Sequence, residues 1–127
     1  MTFEYQIVPF GAEENFAALR RRLDFLQCPP VSYNTVGKSY VKYRPLMEFK
    51  ESAFVYSTCA PLENGHTEIR LFNASDETKC GRVSLPNFAK EAYLTELDGR
   101  KISKLDIKDG GIELKLTKCK IATVEIF

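Results

Sequence analysis

The sequence predicts a mainly β protein, an antiparallel β-sandwich with one helix near the N-terminus. Three observations lead there. Short runs of alternating apolar and polar residues follow one another from Ser52 to Phe127. Turn signals interrupt these runs about every ten residues, the spacing of a sandwich or barrel rather than of a parallel sheet with helices. Only one stretch carries a convincing helical stripe. At 127 residues the chain has the length of a single domain, 1–127, able to bury roughly two thirds of its unfolded surface around one core.

Taken in order, Phe3 to Val8 alternates as a half-buried strand, closed by Pro9 and Gly11. "EENFAALRRRLDFLQCPP" then places Phe16, Leu19, Leu23 and Leu26 on one helical stripe, with acidic residues at its start and Pro29-Pro30 blocking continuation. Arg20, Arg21 and Arg22 lie in its middle. Consecutive residues fan out by about 100° each around a helix and cannot converge on one phosphate, so a solvated helix face is expected. Between Val31 and Lys50 the pattern weakens, and irregular structure with short strands is expected there.

Beyond Ser52 strand and turn alternate. "AFVYSTCA" runs to Pro61, and Asn64-Gly65 is a strong hairpin signal before "HTEIRLF". The "ASDE" turn leads to "TKCGRVSL", Pro86-Asn87 to "AKEAYLTEL", Asp98-Gly99 to "RKISKLDIK", and Asp109-Gly110-Gly111 to "GIELKL". "CKIATVEIF" is the last strand. Ile112, Leu114 and Leu116 share one face, whereas Ile102 is out of phase with Leu105 and Ile107. A bulge near Ser103-Lys104 restores the phase, because one extra residue flips every side chain beyond it.

Composition narrows the function. Eighteen Lys plus Arg against seventeen Asp plus Glu leave a formal charge of +1, too small a field to gather nucleic acid or an acidic membrane. The N-terminus lacks the basic start and apolar core of a signal peptide, and no apolar run reaches the ~20 residues that span a bilayer. A cytoplasmic chain is expected. Cys28, Cys59, Cys80 and Cys119 are scattered singly and read as free, mostly buried thiols. With one histidine, His66, there is no zinc-ligand spacing, so no metal is expected in this chain. A Cys59–His66 nucleophilic pair has nothing in the sequence to point to it. Asn73-Ala74-Ser75 fits the N-glycosylation pattern but is more simply turn chemistry.

No phosphate-cradling glycine loop, nucleophile elbow or dinucleotide fingerprint is present. The acids Glu63, Asp76, Glu77 and Asp98 all fall in turns, where carboxylates ordinarily bond nearby backbone, so catalytic residues are not assigned. Tyr33, Tyr40 and Tyr43, together with Phe49, are candidates for a sugar-stacking platform, against the plainer expectation that they pack on the sandwich or on a neighbouring domain.

The order of features resembles the C-terminal β-sandwich region of glycoside hydrolase family 38, the α-mannosidases and mannosylglycerate hydrolases. "FEYQIVPF" followed by "ENFAALRRRLDFLQ" is similar to that region's opening segment and helix, although Phe10 stands where the family often has histidine. "FVYSTCAPLENGHTEIRLFNAS", "KEAYLTELDGRKI" and "GIELKLTKCKIATVEIF" follow the family's later course. "EIRLFNASDE" and "TELDG" are the best anchors, and the likeness is weakest between Val31 and Lys50.

The resemblance implies a sandwich of the galactose-mutarotase-like or immunoglobulin-like type and a non-catalytic domain in carbohydrate metabolism. The parent enzymes are retaining, zinc-dependent hydrolases of α-mannosidic bonds whose nucleophile and metal ligands belong to an N-terminal catalytic domain. That catalytic domain is the implied partner, with mannose-containing carbohydrate as a further ligand. Phe127 would then lie near the natural C-terminus, and Met1 would begin an excised fragment or a separately encoded piece. Arg70 and Glu96 stand where the family's pattern has Arg and Glu. A buried guanidinium needs a carboxylate, so an Arg70–Glu96 ion pair fixing strand order is expected, against the alternative that Arg70 reaches the catalytic domain or substrate. Two further readings remain: a stand-alone carbohydrate-binding module, requiring Tyr33, Tyr40 and Tyr43 to line one groove, and an immunoglobulin-like interaction sandwich, requiring a long exposed edge strand.

Overall fold

A computed structural model describes residues 5, 7–12, 14–28 and 45–127. One helix, α1 (Phe16–Gln27), precedes eight strands: β1 (Glu48–Phe49), β2 (Phe54–Pro61), β3 (Thr67–Asn73), β4 (Lys79–Ser84), β5 (Ala92–Thr95), β6 (Lys101–Leu105), β7 (Gly111–Leu116) and β8 (Ile121–Ile126). All pairings are antiparallel. A three-stranded sheet has the order β1-β4-β7 and a five-stranded sheet the order β2-β3-β8-β5-β6. The two form the expected β-sandwich.

The core lies between the sheets. Val83, Ile112, Leu114 and Leu116 come from the smaller sheet, and Phe54, Ile69, Leu71, Ala92, Ala122, Val124 and Ile126 from the larger. Alternation dictates this: in β7 the apolar residues are buried while Glu113 and Lys115 are exposed. The turns use the residues they require. Gly65, Gly99 and Gly110 adopt positive φ at the Asn64-Gly65, Asp98-Gly99 and Asp109-Gly110 turns. Asn73 ties the two sheets together at the end of β3. Its Nδ2 donates to the carbonyls of Glu77 (2.7 Å), Leu116 (3.1 Å) and Thr117 (3.0 Å), and its Oδ1 accepts from Ser75 N. The side chain is fully buried, so the Asn73-Ala74-Ser75 sequence is turn chemistry and not an open acceptor.

The predicted bulge occurs one residue early. Leu94 pairs with Ser103 and Thr95 with Lys101, leaving Ile102 as the extra residue, 54% exposed on an edge strand.

Three expectations change. Tyr5, Ile7 and Val8 are not in a strand, because alternation needs a neighbouring strand to become a ladder and none is placed beside them among the described residues. The helix forms where predicted, with the Asn15 side chain accepting from Ala18 N at its start. Its stripe is only partly covered, however: Ala17 is buried, but Phe16, Phe25 and Leu26 are exposed. The thiols are free, but Cys28, Cys80 and Cys119 are exposed and only Cys59 is half-buried. No described helix is long and apolar enough to cross a membrane.

Candidate functional site

The densest polar chemistry lies on the outer face of the five-stranded sheet, where register builds it. Glu68 (β3), Glu125 (β8), Tyr93 (β5) and Lys104 (β6) are successive partners across four strands. Arg70, Thr123, Thr95 and Lys101 form the next outward-facing row. Partners in an antiparallel ladder share a face, so these side chains meet although they come from distant parts of the chain.

Glu125 is the centre. It is the one charged residue of β8 and only 6% exposed. Its Oε1 is bonded by His66 Nδ1 and accepts from Asn64 Nδ2 at 3.1 Å. The bond from His66 holds the carboxyl below the usual carboxylate range; burial works in the opposite direction, and Asn64 adds to the depression. The same hairpin turn that Asn64-Gly65 makes brings both donors over β8.

Above the carboxylate the His66 ring stacks on Phe127, centroids 4.2 Å apart and planes 14° from parallel, and Phe127 faces Tyr93 at 5.9 Å. Phe127 is held by its backbone, its carbonyl accepting from Lys90 N and Glu91 N and its own N–H donating to Glu91 O. Lys101 Nζ lies 4.2 Å from the Tyr93 centroid. Glu91 accepts from Tyr93 Oη (3.0 Å) and pairs with Lys104 (3.2 Å). These partners lower the Glu91 pKa, Lys104 most, and the accepting carboxylate raises that of Tyr93.

This cluster is closed on itself. Ring faces are taken up by other rings and by Lys101, and no buried side-chain polar atom among the described residues lacks a partner. It holds strand ends together and offers no acid and base held apart across a cleft. Among the described residues no group of three or more His, Cys, Asp or Glu side chains is placed to hold a metal.

The expected site residues are distributed differently. Tyr33, Tyr40 and Tyr43 lie outside the described residues. Arg70 pairs with Glu68, not with Glu96: its Nη2 donates to Glu68 Oε1 at 2.7 Å and its Nε to Thr123 Oγ1 at 3.4 Å. The reason is parity. Arg70, Thr123 and Thr95 face the same way, and Glu96 follows Thr95 just beyond the end of β5, exposed. Cys59 pairs across from Ile69 and packs on the core, whereas His66 reaches the outer face, so the two cannot act as a pair.

Of the turn acids, Glu77 is bonded to Lys79 and Asp98 to Arg100, both at 2.7 Å. The three arginines of α1 diverge as expected: Arg20 pairs with Asp24, Arg22 with Glu14, and Arg21 donates to the carbonyls of Ser52 and Phe54. Sequence reasoning missed the His66–Glu125 pair, whose members lie 59 positions apart. The available signal was Glu125 interrupting "IATVEIF" in phase with the outward face. No protein-family model, curated protein or solved structure matches the chain.

Proposed function

We propose that this chain is a non-catalytic sandwich domain of an α-mannosidase-type glycoside hydrolase, which supports the catalytic domain that cleaves α-mannosidic bonds. One observation carries the reading: apolar surface is left uncovered on the N-terminal segment and α1. Ile7 is 94% exposed, Phe16 62% and Phe25 61%, and the core cluster between the sheets forms without them. Val8, Phe25 and Leu26 line one depression, and exposed apolar surface gathered in this way marks a place that another body covers. The closed polar cluster on the outer sheet face, with no cleft-spanning acid pair, supports a scaffold role over a catalytic one. On this reading zinc and the nucleophile belong to the catalytic domain, and Arg70, half-buried and paired, remains the residue nearest in kind to a contact with it.

The test is hydrolysis of an aryl α-mannoside, with zinc supplied, by this chain alone and by a longer polypeptide extended upstream at the same locus. Activity only in the longer polypeptide supports the reading. Activity in the chain alone would mean that a catalytic pair exists among its turn acids. The interaction-sandwich reading draws its own support from β7, a regular strand that from Ile112 to Leu116 is paired on one side only among the described residues.

A further inference from the structure

The two sheets are unequal, three strands against five, and both end on the same side of the sandwich. Lys104 and Leu105 of β6 line one depression there with Gly111 and Glu113 of β7. Ile102 of β6 lines a second with Lys115 and Leu116 of β7. β6 and β7, the edge strands of their sheets, therefore flank one open side. The second depression has a volume of about 450 Å³. Leu94, Leu116 and Ala122 belong to its lining, and so do Leu97, Ile102 and Ile121, three of the exposed large apolar residues of the molecule.

The two edges differ. β6 carries the bulge at Ile102, and its Lys101 and Lys104 are drawn to the outer face by Tyr93 and Glu91, which are the devices that stop an edge from pairing. β7 has no such bulge, although Glu113 and Lys115 stand on its outer face. It contains no proline, its ladder with β4 is regular from Gly111 to Leu116, and beyond it lies the apolar floor that a fourth strand of the small sheet would cover. Charge adds a preference. Lys115 and Lys120 line the cleft and Lys118 lies in the same turn, against one carboxylate in the lining, Glu96.

We propose that this open side accepts an extended peptide strand of alternating apolar and acidic residues, which pairs with β7 between Ile112 and Leu116, where no described strand lies beyond it; Gly111 is already bridged to Lys108. Its apolar side chains cover Leu94, Leu97 and Ile102, and its acidic side chains meet Lys115 and Lys120. Backbone hydrogen bonds supply the register and the cleft supplies the choice of side chain, as in other strand additions to a sheet edge. The inference does not depend on the parent enzyme's identity.

The test is a backbone-amide NMR titration of the full chain with a capped seven-residue peptide alternating valine and glutamate. Two control peptides accompany it: one with lysine replacing glutamate, and one with the same residues in block order. Expected are saturable shifts confined to β7 and the residues around the cleft, with slowed exchange of the β7 amides that face away from β4. The control peptides should bind weakly or not at all. Lys115→Glu combined with Lys120→Glu, both exposed, should weaken binding about fivefold to tenfold and shift the preference toward the lysine peptide, at the cost of two surface charge pairs. Absence of saturable shifts at millimolar peptide, or an equal response to all three peptides, would overturn the proposal. So would shifts centred on α1 or on the outer sheet face.

Discussion

At the scale of single residues, two buried polar side chains do most to specify this fold. Glu125 is stable as a carboxylate because His66 and Asn64 bond it, and its pKa is held below the ordinary 4.5. A depressed carboxyl pKa gives stability that is complete above the unfolded value and is lost as pH falls through the folded one. Glu125→Gln should therefore cost about 1–2 kcal/mol at pH 7, and the gap between variant and parent should close as pH drops below 4.5. Urea denaturation at pH 7 and at pH 3 measures this; a gap independent of pH would show that the charge contributes nothing. Asn73 acts differently, since it carries no charge and its bonds all end on backbone. Asn73→Ala strips the three carbonyls it serves and should cost about 3 kcal/mol, equally at both pH values. The contrast between the two pH responses separates a charged tie from a neutral one.

At the scale of elements, the strands and the helix are held by different means. The strands supply the core, β6 only through half-buried Leu105, whereas α1 buries only Ala17 and is tied to the start of β2 by Arg21, which donates to Ser52 O at 2.6 Å and Phe54 O at 3.3 Å. Arg21→Ala should release the helix while leaving the sandwich intact. Hydrogen exchange should then show faster exchange across Phe16–Gln27 with protection in β3 and β8 unchanged; a uniform loss of protection would mean that the helix belongs to the cooperative unit. The bulge in β6 shows how far pattern alone reaches. The phase break between Ile102 and Leu105 required one extra residue, and its neighbourhood was legible. Its placement at Ile102 rather than at Ser103-Lys104 was set by the pairing of Ser103 with Leu94 and Lys101 with Thr95, which depends on a strand that the local sequence does not contain.

At the scale of the whole molecule, a two-sheet core carries an apolar appendage at its N-terminal side. The core lies between two sheets of unequal width; uncovered apolar residues occur beside the β6–β7 cleft, as they do on α1 and the segment before it. If that surface docks on a catalytic domain, Phe25→Ser with Leu26→Ser should leave the melting temperature of the isolated chain within a few degrees, because both side chains are already exposed. The same pair of changes should weaken association with the upstream region, measured by calorimetry or by loss of α-mannosidase activity on recombining the parts. A large fall in the melting temperature of the isolated chain would instead show that the two residues serve its own fold.

The sequence by itself determined the class of fold, the helix and the strands from Phe54 onward, but not the N-terminal segment, where Tyr5, Ile7 and Val8 lie outside any strand. Period-two alternation, turn residues with positive φ and one capped helical stripe act over a few neighbouring residues, so a linear reading captures them. It also allowed the parity argument that keeps Ile112, Leu114 and Leu116 on one buried face. Only the tertiary structure decided which distant residues meet. Arg70 found Glu68 on its own strand because the ladder put Glu96 out of phase and beyond the end of β5. His66 found Glu125 because a hairpin turn and a strand from the far end of the chain lie side by side. Strand order is settled by the packing of whole sheets, a balance over many residues at once, and the candidate site is a consequence of that order.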